Sequence, residues 1–165
     1  MRPVLPSRVS QPFADSGSYA SNTDEHGPAG HHTGIDYGSL GIPINRKIVR
    51  SILNGEVVLS DFNDTMGNWV GVYNHRNDLL VTYWHLAERH VSLGDWVLAW
   101  HDLGLVGDTG NSTAPHLHLQ VNRGKEFDYH GHLDPEVAFR ISPSRREAAS
   151  RFKELKGVHP EEEKA

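Results

Sequence analysis

The stretch His31-His32-Thr33-Gly34-Ile35-Asp36 sets an imidazole and a carboxylate four positions apart, and His116-Leu117-His118 sets two imidazoles two apart. Residues of these types, when gathered, serve as metal ligands, as general bases or as both. The chain has no cysteine, so a metal would be held by His, Asp or Glu, and no disulfide can staple the fold. On a strand, His116 and His118 project to the same side while Leu117 and Leu119 pack on the other. His32 and Asp36 in a fully extended chain would stand ~13 Å apart at ~3.3 Å per residue, too far to share one ion. Gly34 lies between them and permits a sharp bend. Twelve histidines in 165 residues directs the search to their partners.

The elements that must position these groups are short strands. Residues 1–30 are rich in Pro, Ser, Gly and Asn and show no sustained period. From about 46 to 122 the chain changes to brief apolar runs. Two β-branched runs flank Asn54-Gly55, a strong turn signal. In "NWVGVYNH", Trp69, Gly71 and Tyr73 alternate with Val70 and Val72, "RND" turns the chain, and "LLVTYWHL" is the expected hairpin partner. "GDWVLAW", "LGLVGDTG" and "HLHLQVN" are further strands. Short strands separated by turns predict an antiparallel sheet rather than βαβ units. Residues 144–155 have helical character, with Ser142 or Ser144 as N-cap and Gly157 as a stop. The predicted organisation is mainly β, with one domain over residues 1–142 whose first 25 residues are an irregular lead-in. A C-terminal helix and a solvated acidic tail follow over 143–165.

Composition narrows the function classes. A chain of this length supports one domain and buries roughly 70% of its unfolded surface. No run reaches the ~20 apolar residues that span a bilayer, and "MRPVLPSRVSQPF" lacks the apolar core of a signal peptide. The net charge of −5 argues against a nucleic-acid surface, which depends on clustered Lys and Arg.

Together, His32-x-x-x-Asp36 followed by Tyr37-Gly38, "TYWHLA" with His85, "GDTGNSTAPHLH", and "LDPEVAF" resemble the lysostaphin/LytM-type zinc peptidases, family M23. The resemblance covers about residues 26–140. It implies a small open antiparallel β-sheet with a groove, one zinc ion per chain, and hydrolysis of peptide bonds in bacterial peptidoglycan. It also implies that His32, Asp36 and His118 hold the zinc and that His85 and His116 are the unligated catalytic histidines. No glutamate lies near these motifs to act as base, and an imidazole with an ordinary pKa of ~6.5 suits proton transfer near neutrality. In lysostaphin-like relatives a tyrosine lies six residues before the first zinc histidine. Here that position is His26, expected to donate to the oxyanion. Tyr83, two before His85, is expected to share its strand face as a second donor. The expected setting is a monomeric phage lysin or virion-associated protein, made in the cytoplasm, that acts on the wall after release without inserting into a membrane. The bond cut is either a glycine bridge or a D-Ala to diamino-acid link.

Other histidines carry less. His31 should point away from the site. His130 and His132 flank Gly131 in a loop, and His75, His90, His101 and His159 have no evident partner in sequence. Trp69, Trp84, Trp96 and Trp100 suit the core and sheet surface. Competing readings are a catalytically silent wall-binding or activator domain, a cupin-like metal site, and a D-Ala-D-Ala peptidase site. A silent relative usually lacks a ligand, and none is missing here. A cupin needs more ligands in another order, and the D-Ala-D-Ala type needs a longer His-to-Asp spacing and a glutamate.

Overall fold

The β-branched and aromatic runs form ten strands among the residues described by the computed structural model, which are 3–4, 8–13, 32–39, 41, 43–128, 132–144 and 146–150. They are β1 (Arg8–Gln11), β2 (Ile35–Gly38), β3 (Ile48–Arg50), β4 (Gly55–Asn63), β5 (Gly67–Asn74), β6 (Leu79–Arg89), β7 (Trp96–Val97), β8 (Asp102–Val106), β9 (Leu117–Arg123) and β10 (His132–Leu133), followed by the helix α1 (Glu136–Ile141). Every pairing is antiparallel, in the order β1-β2-β9-β6-β5-β4-β7. β10 continues along β9, and β8 bridges β3 to the end of β6. The expected mainly-β antiparallel architecture is the one observed.

The β5–β6 hairpin follows the expectation, closing at Asn74↔Leu79 around residues 75–78. Asp78 takes the left-handed conformation (φ 54°), and the Asn74 side chain accepts from Asn77 N at 2.9 Å. The Asn54-Gly55 signal marks a different feature. The strands on either side of it do not pair with each other, since β3 joins β8 while β4 joins β5 and β7. Gly55 is required by close approach instead, because a Cβ there would sit 2.3 Å from the Tyr73 carbonyl oxygen. Asn54 braces this corner, its carbonyl accepting from the Asn74 amide and its side chain from Ala99 N, each at 2.7 Å.

Strand alternation divides the sheet into two faces. Val57, Val70, Val72, Leu79, Val81, Tyr83, Leu117, Leu119 and Val121 face one side and build the main core. On the other side Trp69 and Trp84 pack with Met66, Leu59 and Phe127, and a row of polar side chains runs down β9. Gln120 and Asn122 are paired within that row: Thr33 Oγ1 donates to Gln120 Oε1 at 2.8 Å, and Gln120 Nε2 donates to Asn122 Oδ1 at 3.1 Å. Buried polar groups persist in a sheet when they are paired in this way.

Two local expectations change, and the C-terminal helix is found where it was expected. The lead-in is not wholly irregular, because β1 pairs with β2 and Val4 bridges Val49. Residues 136–141, beginning within "LDPEVAF", form a helix that the sequence pattern does not predict, started by Asp134, whose carboxylate accepts from Glu136 N at 2.9 Å. The next helical segment covers 146–150, with residues 151–165 outside the described part of the chain. Its cap is Ser144, in a reciprocal pair: Ser144 Oγ accepts from Glu147 N at 3.3 Å, and Glu147 Oε2 accepts from Ser144 N at 2.6 Å. Ser142, the other candidate cap, instead ends α1 and donates to the Ile52 carbonyl at 2.6 Å.

Candidate metal centre and flanking histidines

Asp36 and His118 are directly opposed across the β2–β9 ladder. Opposed side chains on one face lie within ~5.5 Å at Cβ, close enough for a short carboxylate and imidazole to meet. Asp36 Oδ1 lies 2.9 Å from His118 Nδ1 and 3.2 Å from His32 Nε2, and the two ring nitrogens are 3.1 Å apart. All three residues are buried. The chain bends at Gly34, as the His-to-Asp distance requires. Gly34 is selected by contact rather than by a left-handed φ: a Cβ there would lie 2.3 Å from the Leu119 carbonyl and 2.8 Å from His118 Nε2.

The donor set suits a cation. His32 Nδ1 donates to the Pro12 carbonyl at 2.8 Å, so its Nε2 lone pair faces inward. Burial raises the Asp36 carboxyl, but its short contacts with the His118 and His32 rings outweigh burial and hold it well below the usual range. Burial pushes His118 down, against the pull of Asp36. An ionised carboxylate and two neutral imidazoles whose ligand atoms lie within 4.8 Å of one another can hold a metal ion.

His85 and His116 flank this cluster, with ring centroids 4.6 Å apart, and His85 is 6.4 Å from His118. His116 Nε2 approaches Asp36 Oδ1 to 3.8 Å. Both rings are held through Nδ1 by backbone carbonyls of the β8–β9 loop: His85 by Thr109 and His116 by Ala114, each at 2.8 Å. A carbonyl only accepts, so each Nδ1 carries a proton, and in the neutral ring the lone pair is at Nε2. Ser112 Oγ also lies 3.2 Å from His116 Nδ1 and donates to the Ala114 carbonyl at 3.0 Å. Burial first, then His116 and His118, push the His85 imidazole down to about 4, with Thr109 and Asp36 opposing.

Tyr83 does not share a face with His85. Trp84 pairs with His118, so regular alternation would turn His85 to the core side and Leu86 to the other. His85 instead takes φ 61°, which reverses the phase: its ring joins the histidines while Leu86 enters the core. Tyr83 is fully buried, and its hydroxyl accepts from Ile52 N at 2.9 Å. Burial raises its pKa, against that bond and one from Ser51. The proposed donor is therefore a core residue. His26, His31, His130 and His159 lie outside the described residues. His132 belongs to β10, edge-on to Phe13, while His75 pairs with Glu56 at 3.0 Å and His90 with Glu88 at 3.8 Å. Trp84 borders the site after all, tilted against His118 at 4.3 Å.

The backbone carbonyls of Pro12, Thr109 and Ala114 complete the site. None has a side-chain signature in the sequence.

Residues 30–130, more than half of the chain, match the family described as Peptidase family M23. The chain belongs to peptidase family M23. Among relatives of this M23 chain, lysostaphin from Staphylococcus simulans is 37% identical over 93 residues, covering 55% of this chain and 18% of that protein. The DD-carboxypeptidase/endopeptidase Mpg of Neisseria meningitidis is 32% identical over 122 residues, covering 73% and 26%. This chain spans about a fifth of the length of the first curated relatives it matches. Among solved structures, the catalytic domain of lysostaphin from Staphylococcus simulans aligns with a TM-score of 0.61 at 30% identity, over 70% of this chain and 88% of that one. A mutant catalytic domain of the prophage-encoded M23 protein EnpA from Enterococcus faecalis aligns with a TM-score of 0.57 at 25% identity, over 78% and 93%.

Proposed function

We propose that this M23 chain is a zinc-dependent endopeptidase that hydrolyses peptide bonds in bacterial peptidoglycan. One observation carries the reading: a buried His32–Asp36–His118 cluster lies beside two histidines whose Nδ1 atoms are tied to backbone carbonyls, which leaves Nε2 to face the site. His32, Asp36 and His118 would hold one zinc ion, which supplies Lewis acidity toward a scissile carbonyl and acidifies a water. His85 and His116 act from either side. With Nδ1 tied to a carbonyl, each ring can take a proton only at Nε2 and can then donate it to the leaving amine or a developing oxyanion. The low pKa of His85 keeps that ring neutral throughout the neutral range. His26 enters as a further oxyanion donor on the basis of its sequence position.

The substrate class is supported by the relatives, named as lysostaphin and as peptidoglycan DD-endopeptidases. The prophage origin of one structural neighbour supports a phage lysin that reaches the wall after release from the cytoplasm. No helix among the described residues is long and apolar enough to cross a membrane. Digestion of purified walls of known chemotype tests the reading. New amino termini should appear with zinc present and disappear after chelation, and their identity separates glycine bridges from D-Ala links. Intact walls after incubation with fully zinc-loaded protein would refute it.

A further inference from the structure

The β5–β6 ladder is irregular where His85 leaves the sheet, with a register shift between Asn68 and Val70 opposite Leu86. At this point the pair Asn68↔Leu86 is joined through a third residue. Thr109 Oγ1 accepts from Asn68 N at 3.0 Å and donates to the Leu86 carbonyl at 2.8 Å. A side-chain hydroxyl thus stands between a backbone donor and a backbone acceptor of neighbouring strands, satisfying both. The Asn68 amide adds a second donor to Leu86 O at 3.0 Å.

The same residue holds the histidine, because the Thr109 carbonyl is the 2.8 Å acceptor of His85 Nδ1. The loop has no slack here. A Cβ on Gly67 would lie 2.3 Å from Thr109 Oγ1 and 2.4 Å from its carbonyl oxygen, and a Cβ on Gly110 would lie 2.2 Å from Gly67 N. Both glycines have left-handed φ, 66° and 73°. His85 has φ 61° without being glycine, a conformation that costs about 1–2 kcal/mol and persists only when its surroundings hold it. Its own N–H donates to Met66 O at 2.8 Å, fixing the backbone. The ring is fixed by Thr109.

We propose that Thr109 is a positioning residue for His85. Its hydroxyl seats the β8–β9 loop in the gap between β5 and β6, and this seating aims its carbonyl at Nδ1, so that the base faces the metal centre through Nε2. The inference rests on the peptidase reading for its functional consequence, while the tautomer it predicts exists without substrate.

Thr109→Val keeps the shape of the side chain and removes both hydroxyl bonds, whereas Thr109→Ser keeps them. In protein labelled with ¹⁵N-histidine, with the His85 signals assigned by their loss in His85→Gln, the parent and the serine variant should show a protonated Nδ1 and a bare Nε2. The valine variant should show a mixture of tautomers. With cell walls as substrate, valine should lower kcat by about tenfold or more while moving KM less, and serine should recover most of the loss. Bound zinc should be equal in all three, since the bonds of Thr109 go to β5, β6 and His85. Thr109→Ala gives the same comparison if valine does not fold. A valine or alanine variant with the parent's tautomer, or a serine variant as impaired as valine, would overturn the proposal. A parent protein that leaves walls intact would count against the peptidase reading alone, because the tautomer is read independently.

Discussion

Asp36 and His118 face each other across β2 and β9, and this pairing brings the carboxylate to 2.9 Å from Nδ1. Two of the three candidate ligands are therefore fixed by sheet register, while His32 reaches them from beyond the strand through the bend at Gly34. A one-residue slip of β2 would send Asp36 to the core face and abolish the cluster.

His32→Ala, Asp36→Ala and His118→Ala should each lose zinc and wall lysis together. Removing one of three protein ligands leaves a two-ligand site, and a metal that binds only the folded state contributes to stability as well. Metal analysis of the purified variants checks this. A full equivalent of tightly held zinc in any one of them would remove that residue from the ligand set.

His85→Ala and His116→Ala should keep the metal and lose about 10²–10⁴-fold in rate, the usual scale for a positioned acid–base or oxyanion group. The two losses should not multiply in the double variant, because the rings are in contact at 4.6 Å and act on the same few atoms. Zinc content measured alongside lysis separates this outcome from a loss of metal.

The pH dependence of stability follows from His85. Its folded pKa of about 4 lies below its ordinary 6.5, so the unfolded chain binds more protons between these values. Stability of the metal-free protein should therefore fall as pH drops from 6.5 toward 4, with the His85 contribution approaching about 3 kcal/mol at the acid end. His118, also pushed down by burial, adds in the same direction. The Asp36 contribution has the opposite character, being present above its ordinary 3.8 and lost only at lower pH. Urea unfolding of chelated protein at pH 7 and pH 5 measures the slope, and His85→Gln should flatten it.

The candidate site was largely legible because its side chains sit in regular elements or beside one bend. His116 and His118 alternate with buried leucines as a strand requires, and the His-to-Asp spacing demanded the bend that occurs at Gly34. Tyr83 failed for a conformational reason. Two residues apart means one face only while φ stays negative, and His85 breaks that condition. β1 was hidden because four residues of "RVSQ" carry little periodicity, and their pairing is decided by the partner strand β2. The carbonyls that orient the rings were invisible, since every residue has one.

Tyr83→Phe tests the reassignment of that residue. Losing the hydroxyl leaves Ile52 N–H buried without its acceptor, which should cost about 1–3 kcal/mol in denaturant unfolding. Wall lysis per folded molecule should stay close to the parent's. A fall in kcat without a fall in stability would return Tyr83 to the site.

Gly34→Ala should act on the metal through the backbone. The added Cβ would meet the Leu119 carbonyl at 2.3 Å and the His118 ring at 2.8 and 2.9 Å, and no side-chain rotation relieves a contact with a carbonyl in the ladder. Either β2 moves away from β9 or the His118 ring turns, and both changes separate Nδ1 from Asp36 Oδ1. Overpacking of this kind costs about 1–3 kcal/mol in stability. Zinc affinity should fall beyond what that global cost explains, because the strain is localised at two of the three candidate ligands. Competition with a chelator of known affinity measures the metal, and urea unfolding of the metal-free protein measures the rest. An alanine variant that unfolds earlier but binds zinc as tightly as the parent would show that the close packing at Gly34 serves the sheet and not the ligands.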